Sequence, residues 1–361
     1  MKKHIEYSNW KNIERGNALH SLEKIAEFNS LNLPSISKTN LAILNNSDTI
    51  VLDGKDLKTL LKVEGESVIN IYGGYLFTYK NGNNKHVYKI NISTGERVWE
   101  DADFFLSGMN FGQFQYTKPQ ENGMIKKFDL ITNNIHWEFK TEDKTQSITS
   151  ATGKMVFIED GYHKCKICLD ANSGEKIWEF TAADFPELLK ISGKESKTGN
   201  NFIVDNILIG CDLRTKVYHG ININTLKMEW VLEVPNYHNR HMGYDKNGYF
   251  FIVEKELTSL KCMVIDLEKG VVKKKIEIGA LIMEFKDRFL NLDQNWQVGA
   301  VCIDDESIYL GIKNLFFQVN KTHHKVHLLY DNKKNLGYIN SSIAHNKLFV
   351  IDGGVNTCVF A

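Results

Sequence analysis

Apolar and polar residues alternate along most of this chain in short runs, a period of two that predicts half-buried β-strands. Residues 67–72 and 74–79 show it, as do 146–151 and 154–159, and each pair is broken by a glycine-containing turn. A further hairpin follows each pair. Residues 88–99 read YKINISTGERVW, and the pattern returns as KFDLITNNIHW (127–137), ICLDANSGEKIW (167–178) and GININTLKMEW (220–230).

In each copy a Trp stands eight residues after an Asn or Asp: Trp99 after Asn91, Trp137 after Asp129, Trp178 after Asp170 and Trp230 after Asn222. The Asx side chain can accept bonds from the backbone of its own turn, and the Gly or Asn that follows tolerates a left-handed conformation. The Trp offers a large apolar body to a neighbouring unit, so one unit alone could not bury its surface. Weaker copies are anchored at Asp53, Asp266 and Asn320, with Leu61 and Leu328 in the Trp position. In the Asp266 copy that position is Lys274, which breaks the pattern.

Successive anchors stand from 38 residues apart (Asp53 to Asn91) to 54 (Asp266 to Asn320). Four strands at that period predict an all-β fold, a β-propeller of four-stranded blades in a WD40-like arrangement. The count is seven blades, or eight if residues 41–53 belong to a blade of their own. The C-terminal strand, 356–361, is expected to close the ring by pairing with residues 57–62, which removes an open edge. Residues 1–40 fall outside the repeat as an N-terminal extension. There Asn17 can cap an amphipathic helix with the stripe Leu19, Leu22, Ile25 or Ala26, ending before Pro34 and either docked on the propeller or serving as a partner-binding arm. Residues 41–361 form the propeller domain.

With 42% hydrophobic residues the chain can bury a large core, and 44 basic side chains balance 44 acidic ones. A formal net charge of zero leaves no whole-protein field for nucleic acid or anionic lipid. Glu6, Asn9, Lys11, Asn12 and Glu14 occupy the place of a signal peptide's apolar region, and no apolar run approaches the roughly 18 residues of a membrane span. The expectation is a soluble, cytoplasmic, monomeric protein that binds neither nucleic acid nor membrane.

The strand, Asp, Ser or Thr, Gly, Glu or Lys, Trp pattern, clearest in the units ending at Trp99 and Trp178, resembles the tryptophan-docking repeat of the quinoprotein-like propeller superfamily. The resemblance covers residues 53–361 and implies a propeller with Trp between its blades. It does not imply the quinone cofactor: the superfamily's dehydrogenases use adjacent cysteines and a calcium site, and this chain has no Cys-Cys pair. Its outer-membrane assembly lipoproteins carry a lipidated N-terminal cysteine, whereas the first cysteine here is Cys165. A noncatalytic cytosolic member is the expectation.

The candidate chemistry is sparse. Cys165 and Cys168 form C-x-x-C, but on a strand residues i and i+3 point to opposite faces. His323, His324 and His327 straddle a hairpin turn and read as solvated. Asp101 and Asp103, Glu142 and Asp143, and Asp304 and Asp305 read as solvated turn carboxylates. No nucleophile elbow, metalloprotease motif, phosphate loop or dinucleotide fingerprint occurs. No catalytic residue, metal or cofactor is therefore assigned.

In propellers, fourth-to-first-strand connections gather with second-to-third-strand loops on one face. That face is expected to carry Tyr162, His163, Asp212, Arg214, Tyr237, His238, Arg240, His241 and Trp296, a mixed-charge aromatic composition suited to protein partners. Two connections, 181–201 and 279–295, exceed what a minimal propeller needs. The reading is a noncatalytic protein-binding propeller, in one version a bacterial immunity protein neutralising a toxin. The rival is a hydrolase or lyase acting on a glycan or small molecule in the channel.

Overall fold

The computed structural model describes residues 23–361 apart from 31, 81–82, 102–107, 118–122, 142–146, 160–164, 182–201, 205, 213–216, 234–236, 245–248, 255–259, 267, 291–297, 333–337 and 353–355. Among the described residues the strands form eight four-stranded sheets. Seven follow chain order from one edge to the other: sheet 1 (residues 35–63), sheet 2 (66–101), sheet 3 (108–140), sheet 4 (147–181), sheet 5 (202–233), sheet 6 (237–277) and sheet 7 (298–331). Sheet 8 takes its first three strands from Tyr338–Ala344, Lys347–Asp352 and Asn356–Phe360, and its fourth from Lys24–Asn29.

Burial explains the apolar pattern. Second strands such as Ser307–Ile312 and Lys347–Asp352 are buried along their whole length, because both faces of a sheet meet neighbours. Fourth strands are mostly exposed; Ile135–Lys140 buries only Trp137. In one compact unit, sheet 3 lays Tyr116, Ile125 and Trp137 against Ile148, Val156 and Leu169 of sheet 4. Sheet 4 in turn sets Phe157 and Cys168 against Leu208 and Ile221 of sheet 5. In the second unit the same packing joins sheets 6 and 7 through Cys262, Ile276, Leu310 and Phe317, and sheets 7 and 8 through Tyr309, Phe316, Val350 and Phe360. It continues from Phe349 and Val359 of sheet 8 to Leu41 and Ile43 of sheet 1, and from Val51 to Ile71 and Leu76 of sheet 2.

Two expectations need correction, the partner of the C-terminal strand and the N-terminal helix. Of the two counts the pattern allowed, the described residues form eight sheets, since residues 41–53 belong to a sheet of their own with Ser35–Ile36 and Thr59–Val63. The C-terminal strand pairs with Lys24–Asn29 (Glu27 opposite Cys358, Asn29 opposite Asn356) rather than with residues 57–62. Residues 59–63 are held instead by the local hairpin at Asp53, whose short loop closes at little entropic cost. Ile25 and Ala26, assigned to a helix, lie on that pairing strand; Asn17, Leu19 and Leu22 lie outside the described residues. The connection 279–295 holds a five-residue helix, Gly279–Met283, and a 3-10 turn, Lys286–Arg288, whose Ile282 and Phe289 enter the core of sheets 6 and 7.

Candidate partner-binding face and the joints between sheets

Seven hairpins share one turn. At each anchor the Asx Oδ1 accepts from the N–H two residues on, as in Lys55 to Asp53, Ser93 to Asn91 and Asn172 to Asp170. The same holds at Asp129, Asn222, Asp266 and Asn320. The residue four beyond the anchor donates its N–H to the anchor's carbonyl and adopts a positive φ: Leu57, Gly95, Asn133, Gly174, Leu226, Gly270 and His324. Bonds from Ser173 and Asn172 hold the Asp170 carboxyl below its ordinary range. Burial would raise Asp129, but the N–H groups of Ile131 and Thr132 outweigh it and leave the net shift downward.

The turn is also a docking floor. Trp137 reaches the turn of the next sheet, where its Nε1 donates to Ala171 O at 3.1 Å and its ring lies where a Cβ on Gly174 would stand, 2.7 Å away. Trp230 covers Gly270 in the same way, with 2.3 Å to a hypothetical Cβ. Leu61 occupies this role against Gly95 at 3.6 Å. Lys127, opposite Trp137 on the neighbouring strand, joins it: Nζ donates to the same Ala171 carbonyl at 2.7 Å and lies 3.9 Å from the Phe114 ring centroid. Burial lowers its pKa. At the sheet 8 to sheet 1 joint no fourth-strand Trp is present, and Lys347 donates to Gly54 O and Lys55 O while His345 packs on Gly54. Trp137 and Trp230 are each 8% exposed; Trp99 and Trp178 are half-buried.

Of the residues expected on the binding face, Tyr162, His163, Arg214 and Trp296 lie outside the described residues. Asp212 ends the strand Ile207–Asp212. Tyr237, His238, Arg240 and His241 are not in a connection as expected; they run along Tyr237–Tyr244, the first strand of sheet 6. The run YHNRHMGY lacks apolar alternation, so nothing in it announced a strand.

The other candidates resolve into structural roles where they are described. Asp304 sits in a turn, as expected, but is buried rather than solvated. It accepts from Glu306 N, Ser307 N and, at 2.7 Å, the Tyr309 hydroxyl. Cys168 is buried and its thiol is pushed up to about 12, first by burial and then by Asp170. Cys358 is raised to about 11, again mainly by burial. His323 and His324 lie in the Asn320 turn and His327 on the strand Val326–Asp331. Among the described residues no three His, Cys, Asp or Glu side chains gather as metal ligands, and no helix is long and apolar enough to cross a membrane. Asp101 ends the strand Arg97–Asp101, while Asp103, Glu142 and Asp143 lie outside the described residues.

One charged group escaped sequence reading. Glu66, buried at the start of sheet 2, pairs with Arg97 and accepts from the Thr78 hydroxyl at 2.5 Å, and Arg97 lies 4.1 Å over the Tyr88 ring. Only the apolar register of Tyr88 and Ile90 hinted at that face.

Solved structures now place the architecture. BamB from Moraxella catarrhalis matches with a TM-score of 0.59 at 10% identity, over 94% of this chain and 99% of that one. The fold is a β-propeller. The computationally designed Ika8 protein matches at 0.58 and 11% identity, over 99% of each chain. The β-propeller domain of Cps50 (Swd1) from Myceliophteria thermophila matches at 0.50 and 8% identity, over 82% of this chain and 99% of that domain. No protein-family model and no curated protein matches the sequence. At such identities the likeness concerns the propeller alone.

Proposed function

We propose that this propeller is a noncatalytic protein-binding module that engages its partner through the face expected to carry Tyr162, His163, Asp212, Arg214, Tyr237, His238, Arg240, His241 and Trp296. The observation that supports this reading is the use to which the described polar groups are put. Seven Asx side chains cap turns, Asp304 and Glu66 hold buried contacts, and two lysines tie one sheet to the next. That is a rigid scaffold, on which loops are free to specialise. In this proposal the eight sheets are eight blades, and the strand Lys24–Asn29 closes the ring.

In its more specific form the protein is a cytoplasmic, monomeric bacterial inhibitor that occludes a toxin. The test is affinity capture from the native cell with wild type and with the combined Tyr237→Ala, Arg240→Ala and Trp296→Ala variant. The expected result is a protein partner retained by wild type and lost by the folded variant, since aromatic and Arg anchors carry most interface energy. Capture unchanged by the variant defeats the choice of face. Turnover of a glycan or ester by the purified wild-type protein defeats the noncatalytic reading.

A further inference from the structure

Each of sheets 1 to 7 receives its fourth strand straight from its third, through the Asx-capped hairpin that keeps the two close. Sheet 8 does not. Its fourth strand, Lys24–Asn29, comes from the other end of the chain and leads on to Ser35 of sheet 1, not to the strand it pairs with. None of its six residues is buried, four are exposed, and Ala26 and Phe28 reach only the margin of the core that holds Leu41, Ile43 and Phe349. Where another fourth strand also buries nothing, as in Thr59–Val63 and Val326–Asp331, its hairpin still holds it. Lys24–Asn29 has neither restraint.

The two ends of this strand are held unequally. At Asn29 the backbone N–H donates to Asn45 Oδ1 at 2.9 Å, Nδ2 donates to Asn46 Oδ1 at 2.7 Å, and the carbonyl accepts from Asn46 N at 2.8 Å. The Thr357 hydroxyl adds a bond to Ser30 O. Toward the other end the register slips between Lys24 and Ala26, and Ile25 is 49% exposed. Lys24 pairs with Glu27 of its own strand, which ties the strand to itself, and it touches sheet 7 through a long 3.4 Å bond to the Tyr330 hydroxyl. Backbone bonds between Glu23 and Ala361 complete that end. Few buried contacts and exposed backbone bonds mark a segment that opens locally. Beneath it, Thr357, Cys358, Val359 and Phe360 are all buried.

We propose that Lys24–Asn29 is a strap that swings open about its Asn29 end while the sheets stay folded, baring Cys358 and the backbone edge of Asn356–Phe360. Opening breaks the pairing along the strand and keeps the Asn29 to Asn46 contacts as the hinge. Cys358 stands opposite Glu27, so the closed strap covers it. Burial, which raises the thiol's pKa in the closed form, is relieved when the strap lifts, and reactivity is confined to the open form. The strap uses none of the residues assigned to the partner-binding face and goes beyond the reading given for that face.

The test is alkylation of the full chain by iodoacetamide in native buffer at mildly alkaline pH, with each cysteine followed by mass spectrometry. The sulfur displaces iodide from carbon, and the thiol proton passes to the buffer. Cys168 and Cys262 are the internal controls: they are as deeply buried and lie on the third strands of sheets 4 and 6, beside fourth strands that hairpins hold. Cys358 is expected to react about tenfold faster than either, or more. Phe28→Ala loosens the strap and should raise the Cys358 rate several-fold while leaving the controls unchanged. A disulfide between Ala26→Cys and Val359→Cys, which face each other in the register, shuts the strap and should bring Cys358 down to the rate of Cys262. Equal rates at the three cysteines of wild type, or acceleration of all three alike by Phe28→Ala, overturn the proposal. So does rapid labelling of Cys358 with the disulfide closed. No partner protein takes part and Tyr237, Arg240 and Trp296 are untouched, so failure here leaves the capture experiment interpretable.

Discussion

Trp230 on Gly270 and Lys274 on His324 occupy the same place in successive hairpins, yet they do opposite things. The first pair excludes water: the indole is 8% exposed and fills the space a glycine side chain would need. The second presents cations on an exposed strand and leaves a buried imidazole nitrogen without a hydrogen-bond partner. The turns beneath them are alike, each with its Asx cap and its residue of positive φ. Turn chemistry and inter-sheet packing are therefore separable layers, and only the second has been altered.

Replacing the indoles separates the layers most forcefully. Trp230→Ala and Trp137→Ala should each cost about 3–5 kcal/mol through lost packing and the cavity left behind. The half-buried Trp99 and Trp178 should cost distinctly less. Urea unfolding of the four variants measures this, and equal losses at all four would show that the joints do not differ.

The floor of the joint comes next. Gly270→Ala meets both a φ of 60° and the Trp230 ring, and should lose about 2–4 kcal/mol. Gly74→Ala, at a φ of 82° with nothing within 4 Å, carries only the backbone penalty of about 1 kcal/mol. If the two variants unfold at the same denaturant concentration, the close approach of the indole contributes nothing.

Removing the cap alone should matter less. Asp170→Ala deletes the acceptor for two backbone N–H groups and should cost about 1–2 kcal/mol, while Asp170→Asn keeps the acceptor and should stay near wild type. A loss of equal size in both would point to charge rather than hydrogen bonding.

The smallest effect belongs to the altered joint. His324 has a folded-state pKa below its ordinary value, so the unfolded chain binds the proton more readily. Its neutral form supports the fold above about pH 6.5, and that support is lost as the pH falls toward the folded-state pKa. Unfolding free energies at pH 7.5 and pH 5 should therefore differ less for His324→Asn than for wild type. An identical difference removes His324 from the pH dependence.

The repeat was legible because its chemistry is local. Asp53, Asn91, Asp129, Asp170, Asn222, Asp266 and Asn320 all announce their turns through bonds to residues two positions away, and the alternation on either side marks the strands. Long-range choices were not legible. Lys24–Asn29 reads KIAEFN, a polar edge strand with a half-buried pattern that also fits one helical stripe, and nothing nearby names its partner, which lies at the other end of the chain. The candidate face was least accessible of all. Its residues lie partly on Tyr237–Tyr244, where polarity hides a strand, with Asp212 ending Ile207–Asp212 and the others beyond the described residues.

Sheet 8 also has a history imposed by synthesis. The Thr357 hydroxyl donates to Ser30 O across 327 residues of chain, and Ala361 and Glu23 exchange backbone bonds over a similar span. The hairpins of sheets 1 to 7 can each form soon after they leave the ribosome, because their partners are a few residues away. The strand Lys24–Asn29 emerges before any of them and must wait until Asn356–Phe360 has been translated. Until then its backbone edge is unsatisfied, and the nascent chain has a long interval in which a chaperone, or a neighbouring nascent copy, can take the place of Asn356–Phe360.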